Sequence, residues 1–411
     1  MRRIKVFWNK YNHKIEVGEL AQKNTPEIVF EWNRDFLNNN IELSPVRFPK
    51  KEGLIRCPAT PFDGLPGFIA DSVPDGWGRV LLRHILREDG LSLQELSPLD
   101  MLSYIGDRAM GALSFEPALR PKEKWGNGVL DLDKLNEEVP KIIEDSPSAV
   151  IEQYLQSGSS PNGMRPKIIA TEKNNKYIVG SNESNLNEWL IKFRAEGDSK
   201  DIGKIEYIYS LIAKKSGIDI PETKLIETKK GSFFAVKLFD RDNKTRLHMH
   251  TLSGILHISP NNFTISYENF AQVTNLLTRD IKELEKVFRI AVFNILSVNR
   301  DDHAKNVSFL MDSNGNWKVA PAYDLTFFEG QFKEHKMTLN NKGNPSIDDL
   351  KAFSKNIGLN SKKAQEIIEC TKEELSKFRL LSKKYEVSKL EESQIVRALD
   401  QKISLKKGIT K

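Results

Sequence analysis

Cysteine is nearly absent: Cys57 and Cys370 are the two in a chain of 411 residues. They lie far apart and no metal-ligand spacing surrounds either. That excludes a disulfide scaffold and suggests a reducing, cytoplasmic setting. Long apolar runs are missing too. No stretch approaches the roughly 18 residues of a membrane helix, so no transmembrane helix and no membrane partner are expected. Arg2 and Arg3 are basic but no apolar core comes after them, so the N-terminus is expected to be a strand and not a signal peptide. Charge of one sign is scarce as well. Against 56 acidic residues stand 62 Lys and Arg, a net +6, which permits contact with nucleic acid without arguing for it. Internal repeats and low-complexity tracts are lacking. The chain is 39% hydrophobic and 29% charged, a globular balance, and long enough for two or three domains with a substantial core.

The densest polar cluster is Asn299-Arg-Asp-Asp-His-Ala-Lys-Asn306, between two apolar flanks. The first flank predicts the end of a helix from Leu284 to Val298. The second predicts a strand, Val307 to Met311, then a turn at Asp312-Ser-Asn-Gly315. A further strand, Trp317 to Tyr323, is expected to end on Asp324. Two acids, Asp301 and Asp324, and one amide, Asn306, then sit at the ends of neighbouring elements. Phosphoryl transfer uses such a set. One carboxylate orients the attacking hydroxyl, while a carboxylate and an amide oxygen hold Mg²⁺ on the phosphates. The Asp301 to Asn306 spacing is the D-x-x-x-x-N of kinase catalytic loops. An Asp-rich loop can equally be a solvated turn; what distinguishes this one is its company.

That company begins at Ser157-Gly-Ser-Ser-Pro-Asn-Gly-Met-Arg-Pro-Lys167. Gly158, Ser160 and Gly163 fit a phosphate-cradling loop, in which glycine lets backbone N–H groups approach an anion. Lys167 closes it. The segment is neither a G-x-G-x-x-G nor a Walker A motif, so a plain linker is the alternative. Trp189 to Phe193 alternates as a strand, with Trp189, Ile191 and Phe193 on one face and Leu190 and Lys192 on the other. A half-buried Lys192 needs a partner or a phosphate, unless its ammonium snorkels to water. Lys204 to Ser216 predicts an amphipathic helix with Gly217 after it. Glu206, expected in its first turn, could pair with Lys192 or merely complement the helix dipole. A hairpin comes next, Thr223 to Glu227 and Phe233 to Phe239.

Asp-Asp-His-Ala-Lys-Asn (301 to 306) with Ala-Pro-Ala-Tyr-Asp-Leu (320 to 325) resembles the HipA family of toxin serine/threonine kinases. Asp71-Ser-Val-Pro-Asp-Gly-Trp-Gly-Arg79 and Gly106-Asp-Arg-Ala-Met-Gly-Ala-Leu-Ser-Phe115 extend the resemblance over nearly the whole chain. It implies an α+β, bilobal protein-kinase-like fold with an additional N-terminal α+β subdomain (1–120), a kinase N-lobe with its leading helices (121–240) and a helical C-lobe (241–411). It implies ATP and Mg²⁺ as cofactors, Asp301 as catalytic residue, Asn306 and Asp324 as metal ligands, and Lys192 on the α/β-phosphates. Lys305 would offset γ-phosphate charge, and His303 would brace the loop. Lys237 to Phe239 would be the hinge facing adenine, with Asp240 near the ribose. Ser160, or else Ser159, would be phosphorylated by the kinase itself. The implied partners are a HipB-like helix-turn-helix antitoxin, DNA through that complex, and a protein substrate, an aminoacyl-tRNA synthetase of glutamyl type. Two rivals share parts of this pattern: a small-molecule kinase of aminoglycoside or homoserine type, and a catalytically silent subunit of a DNA-binding repressor complex.

Elsewhere, Ile4 to Trp8 with Lys14 to Leu20 predicts a hairpin, and Ile28 to Trp32 and Gly111 to Phe115 predict strands. Trp77 to Glu88 and Ser97 to Tyr104 predict helices, the second with Ser97 as N-cap and Pro98 at its first position. Leu132 to Gln156 is expected as helices broken at Pro140 and Pro147. Pro166 to Thr171 and Tyr177 to Gly180 predict a strand pair. Helices are expected over Phe270–Thr278, Ile281–Val298, Asp348–Ile357, Ser361–Ser382 and Leu390–Lys402, with a frayed basic tail beyond.

Overall fold

The computed structural model describes residues 1–10, 13–23, 27–119, 128–146, 148, 150–156, 163–179, 187–242, 245–260, 262, 264–330 and 332–403. The loop residues Gly158, Ser159 and Ser160, and the tail from 404, lie outside the described residues. The chain forms two compact units. One is Met1–Asp198, Ile226–Ser259 and Leu310–Asn316; the other is Ser199–Leu225, Pro260–Phe309 and Trp317–Lys411.

The first unit holds a sheet of β1 (Arg2–Lys10), β2 (His13–Gln22), β3 (Ile28–Trp32), β4 (Leu54–Arg56) and β5 (Leu113–Glu116), in the order β4-β3-β2-β1-β5. Alternation puts Ile4, Val6 and Trp8 of β1 and Phe30 and Trp32 of β3 into its core. Trp32 stacks on both Phe36 and Phe68, ring centroids 5.7 and 5.5 Å apart. Gly18 is required here, because a Cβ would lie 2.3 Å from the Glu31 carbonyl.

A buried polar knot locks this unit. Asp71 Oδ2 accepts from His250 Nδ1 at 2.6 Å and from the Thr251 N–H at 2.9 Å, while Asp71 Oδ1 accepts from the Thr251 hydroxyl at 2.7 Å. The other ring nitrogen of His250 meets Ser44 Oγ at 3.0 Å, and both residues are fully buried. Asp71→Asn keeps the size but turns an acceptor into a donor facing the knot. It should cost about 1–2 kcal/mol of stability, read as a lower denaturant midpoint with unchanged slope; an unchanged midpoint would remove the knot from the forces holding this unit.

The same unit contains β6 (Gly128–Val129), β7 (Lys167–Lys173), β8 (Lys176–Val179) and β9 (Asn187–Lys192). After β10 (Thr223–Glu227), which carries the chain back from the second unit, comes β11 (Ser232–Lys237). Within the unit β11, β9, β7, β8 and β6 lie side by side in that order. One face packs Ile168, Trp189, Ile191, Phe193 and Ala235 against Trp77, Leu81, Leu135 and Tyr154 of the neighbouring helices. Pro140 does not break its helix, which runs Leu132–Ile143. Burial of Leu132, Leu135, Val139 and Ile142 along one stripe holds the turn that proline's missing N–H would weaken.

The second unit is mainly helical: Ile202–Lys215, Tyr267–Thr278, Ile281–Leu296, Ile347–Asn356, Ser361–Ser376, Phe378–Lys384 and Lys389–Ile403. The helix expected over Ser361–Ser382 is two, with Lys377 ending one and starting the next. The bend buries Phe378, whose ring lies 5.9 Å from that of Tyr209. Glu206 stands past the first turn of its helix and is 2% exposed, so it is not a solvent-facing dipole residue. The strand expected over Trp317–Tyr323 stops at Val319. Pro321 has no N–H for a ladder, the Ala322 N–H goes to the Asp219 carbonyl at 2.7 Å, and Asp324 is left-handed at φ 59°. No helix of the described residues is long and apolar enough to cross a membrane.

Candidate active site

The polar loop of the second unit begins where the helix Ile281–Leu296 ends. Asp280 caps that helix by accepting from the Lys282 N–H. Its last turns are buried from Ile290 to Leu296, and they anchor the start of the loop. Val298 is left-handed, φ 59°. That is a costly state for a β-branched residue, and the neighbouring chain enforces it: the Phe328 N–H donates to the Val298 carbonyl at 3.1 Å and the Arg300 N–H to the Phe328 carbonyl at 3.0 Å. Buried Arg300 adds a bond from Nη1 to the Glu329 carbonyl at 2.8 Å.

Asp301 and Asp302 are adjacent but have opposite fates. Asp302 is 1% exposed. Its Oδ2 accepts from the Tyr267 hydroxyl at 2.6 Å and from His335 Nδ1 at 2.9 Å, and its Oδ1 from the Lys336 N–H at 2.8 Å. It is a brace. Burial beside this carboxylate pushes the Tyr267 phenol well up. Asp301 is partly exposed. Burial pushes its carboxyl above the usual value; His303 and Lys336 pull it down, and Asp324 and Asp302 push it up. Asp301 and Asp324 thus feel one another as like charges.

Asn306 has a defined orientation. Its Nδ2 donates to the Asp301 main-chain carbonyl at 2.8 Å. A carbonyl oxygen only accepts, so this bond identifies the nitrogen and turns Oδ1 to the opposite side. The Asn306 N–H donates to the His303 carbonyl at 2.8 Å, and the Lys305 N–H to His303 Nδ1 at 3.3 Å. His303 therefore holds the turn between Asp301 and Asn306. Tyr323 ties Asp324 to the same loop: its hydroxyl donates to the Lys305 carbonyl at 2.7 Å and accepts from the Ser308 hydroxyl. Tyr323, Tyr267 and His335 are the residues that sequence reading misses. Tyr323 stands beside a singled-out Asp, which is a signal that could have found it; Tyr267 and His335 reach the loop through tertiary contact alone.

The donor set suits a hard divalent cation. Asn306 Oδ1 and the Asp324 carboxylate are hard oxygen donors, and the like charges of Asp301 and Asp324 are ones a cation would relieve. Among the described residues no group of three or more His, Cys, Asp and Glu gathers, so phosphate and water oxygens would complete such a site, as is usual for Mg²⁺.

The first unit, taken by itself, holds a basic corner. In the antiparallel pairing of β7 and β9, Lys167 stands directly opposite Lys192, on the face away from Trp189, Ile191 and Phe193. Lys167 is 5% exposed, and Lys192 Nζ sits 5.6 Å over the Phe234 ring. The two lysines bring positive charge to one face of the sheet, which favours an anion there. Gly163 lies against this corner: a Cβ there would come 2.6 Å from Lys167 Nζ. Lys237 ends β11, the Leu238 N–H is taken by the Glu188 carbonyl at 2.9 Å, and Phe239 is half-buried. Asp240 follows directly on this segment. It has no exposed surface, and its Oδ2 accepts from the Gly111 N–H at 2.6 Å and pairs with Arg241 at 2.5 Å. Through Oδ2 it braces the Gly111 backbone and Arg241. Arg165 and Arg241 are also engaged, with Asp198 at 3.2 Å and Glu188 at 3.3 Å.

Two family models match the chain: the HipA-like C-terminal domain over residues 159–378 and the HipA N-terminal domain over residues 6–116. Among solved structures the chain is similar to HipA in a Shewanella oneidensis toxin–antitoxin complex of HipA, HipB and operator DNA. The TM-score is 0.67 at 18% identity, covering 98% of this chain and 96% of that one. A lower likeness links it to the Helicobacter pylori proinflammatory kinase CtkA, with TM-score 0.42 and 15% identity over 58% of this chain and 88% of that one. A Haemophilus influenzae protein provisionally named a kinase is 25% identical over 245 residues, 51% of this chain and 70% of its own length. The fold is thus that of HipA, with an N-terminal part and a helical C-terminal part.

Proposed function

Because the chain belongs to the HipA family, we propose that it is an ATP-dependent protein serine/threonine kinase acting as the toxin of a toxin–antitoxin pair. The observation that carries this reading is the arrangement of Asp301, Asp324 and Asn306: two carboxylates that repel one another, and an amide whose nitrogen is fixed on the Asp301 main-chain carbonyl so that its oxygen is left to the other side. Asp301 orients and accepts the proton of the attacking hydroxyl. Asn306 and Asp324 hold Mg²⁺, which when bound neutralises phosphate charge. Lys167 and Lys192 take the phosphates of ATP, and Lys305 offsets charge on the transferred group. The match of the N-terminal model over residues 6–116 supports this reading over a small-molecule kinase, for which no such subdomain is expected.

The finer reading extends to partners and control. A HipB-like helix-turn-helix protein is the antitoxin, DNA is reached through that complex, the protein works in the cytoplasm, and the target is an aminoacyl-tRNA synthetase, the glutamyl enzyme first. The protein also phosphorylates its own Ser160, or else Ser159. Phosphate there adds about −1.5 to −2 charge beside the ATP phosphates. Incubation with Mg·ATP is expected to add one phosphate at one of these serines and to weaken ATP binding more than tenfold, about 1.4 kcal/mol or more. Ser160→Ala should still bind ATP. Peptide mapping that finds both serines unmodified, or a phosphorylated form that binds ATP as tightly as before, sinks the self-modification.

A further inference from the structure

Asp75 stands at the N-cap of the helix Gly76–Glu88, with extended backbone, yet its side chain makes no capping bond. That is unusual, since an aspartate there normally accepts from the helix's own first N–H groups. Its Oδ1 instead accepts from the Gly163 N–H at 2.7 Å. Gly163 answers in the other direction: its carbonyl accepts from the Trp77 N–H, an otherwise unsatisfied first-turn donor, at 3.1 Å. The Trp77 indole Nε1 then donates to the Lys167 carbonyl at 2.9 Å. Gly76, at φ +37°, lets the chains meet; a Cβ there would lie 2.6 Å from the Gly163 carbonyl. Trp77 is 1% exposed and packs edge-on against Tyr154 at 5.2 Å. Three consecutive residues of the N-terminal region therefore grip both ends of the segment from Gly163 to Lys167.

We propose that Asp75, Gly76 and Trp77 are a positioning clamp for the nucleotide phosphates, setting where the Gly163 backbone and Lys167 stand. They touch no phosphate themselves; they act through Gly163 and Lys167. The clamp rests on the reading of Lys167 and Lys192 as phosphate-binding. It gives the N-terminal region a task in the reaction: affinity for ATP depends on residues outside the HipA-like C-terminal domain, which begins at residue 159.

The test compares Asp75→Leu, Asp75→Asn and Trp77→Phe in the full chain. Asp75→Leu removes the acceptor for the Gly163 N–H. It should raise KM for ATP and the Kd for Mg·ATP about tenfold or more, while kcat at saturating ATP stays within about twofold. Asp75→Asn keeps an acceptor oxygen and should restore KM to within about threefold of the parent. A merely structural role would reduce the amount of active protein, hence kcat, and leave KM alone. Amide hydrogen exchange at Gly163 gives a readout that needs no nucleotide: its protection should fall in Asp75→Leu and persist in Asp75→Asn. If the parent protein binds no Mg·ATP while Gly163 loses protection as expected, the phosphate reading fails and takes the proposal with it. If the parent binds and Asp75→Leu keeps both affinity and protection, the clamp alone is overturned. Should Asp75→Leu not fold, Trp77→Phe, which loses the indole bond to the Lys167 carbonyl together with some buried ring volume, must raise KM by itself; an unchanged KM overturns the proposal.

Discussion

Asp324→Asn is expected to leave the fold intact and to lower Mg·ATP-dependent transfer at least about a thousandfold, the several kcal/mol a bound cation contributes at developing phosphate charge. Asparagine is the substitution that isolates charge. Asp324 holds φ 59°, a region asparagine tolerates nearly as well as aspartate. The Tyr323 bonds to Lys305 and Ser308 do not use the Asp324 side chain, so the segment stays in place. What disappears is one negative charge from the field that Asp324 shares with Asp301. Titration calorimetry with Mg·ATP and a phosphate-transfer assay check it together. Unchanged binding with persisting transfer would show that the cation is held elsewhere.

Asp301→Asn is expected to behave differently: Mg·ATP still binds, but transfer slows at least about a hundredfold, the lower range for loss of a general base. The structure makes this a clean substitution. Asn306 is oriented by the main-chain carbonyl of residue 301, not by its carboxylate, so the amide oxygen keeps its direction. The neighbouring acid offers no substitute. Asp302 is buried with its oxygens committed to Tyr267, His335 and the Lys336 N–H, and freeing it would break the knot that shapes the loop. Near-parental transfer by Asp301→Asn would therefore point to a base outside this loop. Single-turnover measurements at saturating Mg·ATP distinguish slow chemistry from weak binding.

Much of the candidate site was legible because its signals are local. The five-residue interval from Asp301 to Asn306 matters because Asn306 Nδ2 bonds back to the Asp301 carbonyl, a contact within one turn of chain. The alternation from Trp189 to Phe193 put Lys192 on the face it occupies, since side chains in a strand alternate whatever lies around them. Lys167 as its cross-strand partner was not legible, because register between strands depends on the sheet that both join. Asp302 and Asp240 show the limit most clearly. In sequence Asp302 is an acid beside a candidate site residue and Asp240 is a candidate itself. Their partners stand 33 to 35 residues away for His335 and Tyr267, and 129 residues away for Gly111.

By itself the sequence determined the strands β1 to β3, the Ser97–Pro98 helix start, the turn at Gly315 and the order Asp301, Asn306, Asp324 along the chain. Each depends on capping, turn geometry or side-chain period, terms that act over a few residues. Only the tertiary structure decided that Pro140 stays within a helix, that Lys377 divides one helix into two, that Asp302 is buried as a brace while Asp301 stays partly exposed, and that Asp75 holds Gly163. Those outcomes depend on burial and on hydrogen-bond partners delivered from distant parts of the chain. The same residue is worth more in one place or the other by about a kilocalorie or more according to what packs against it.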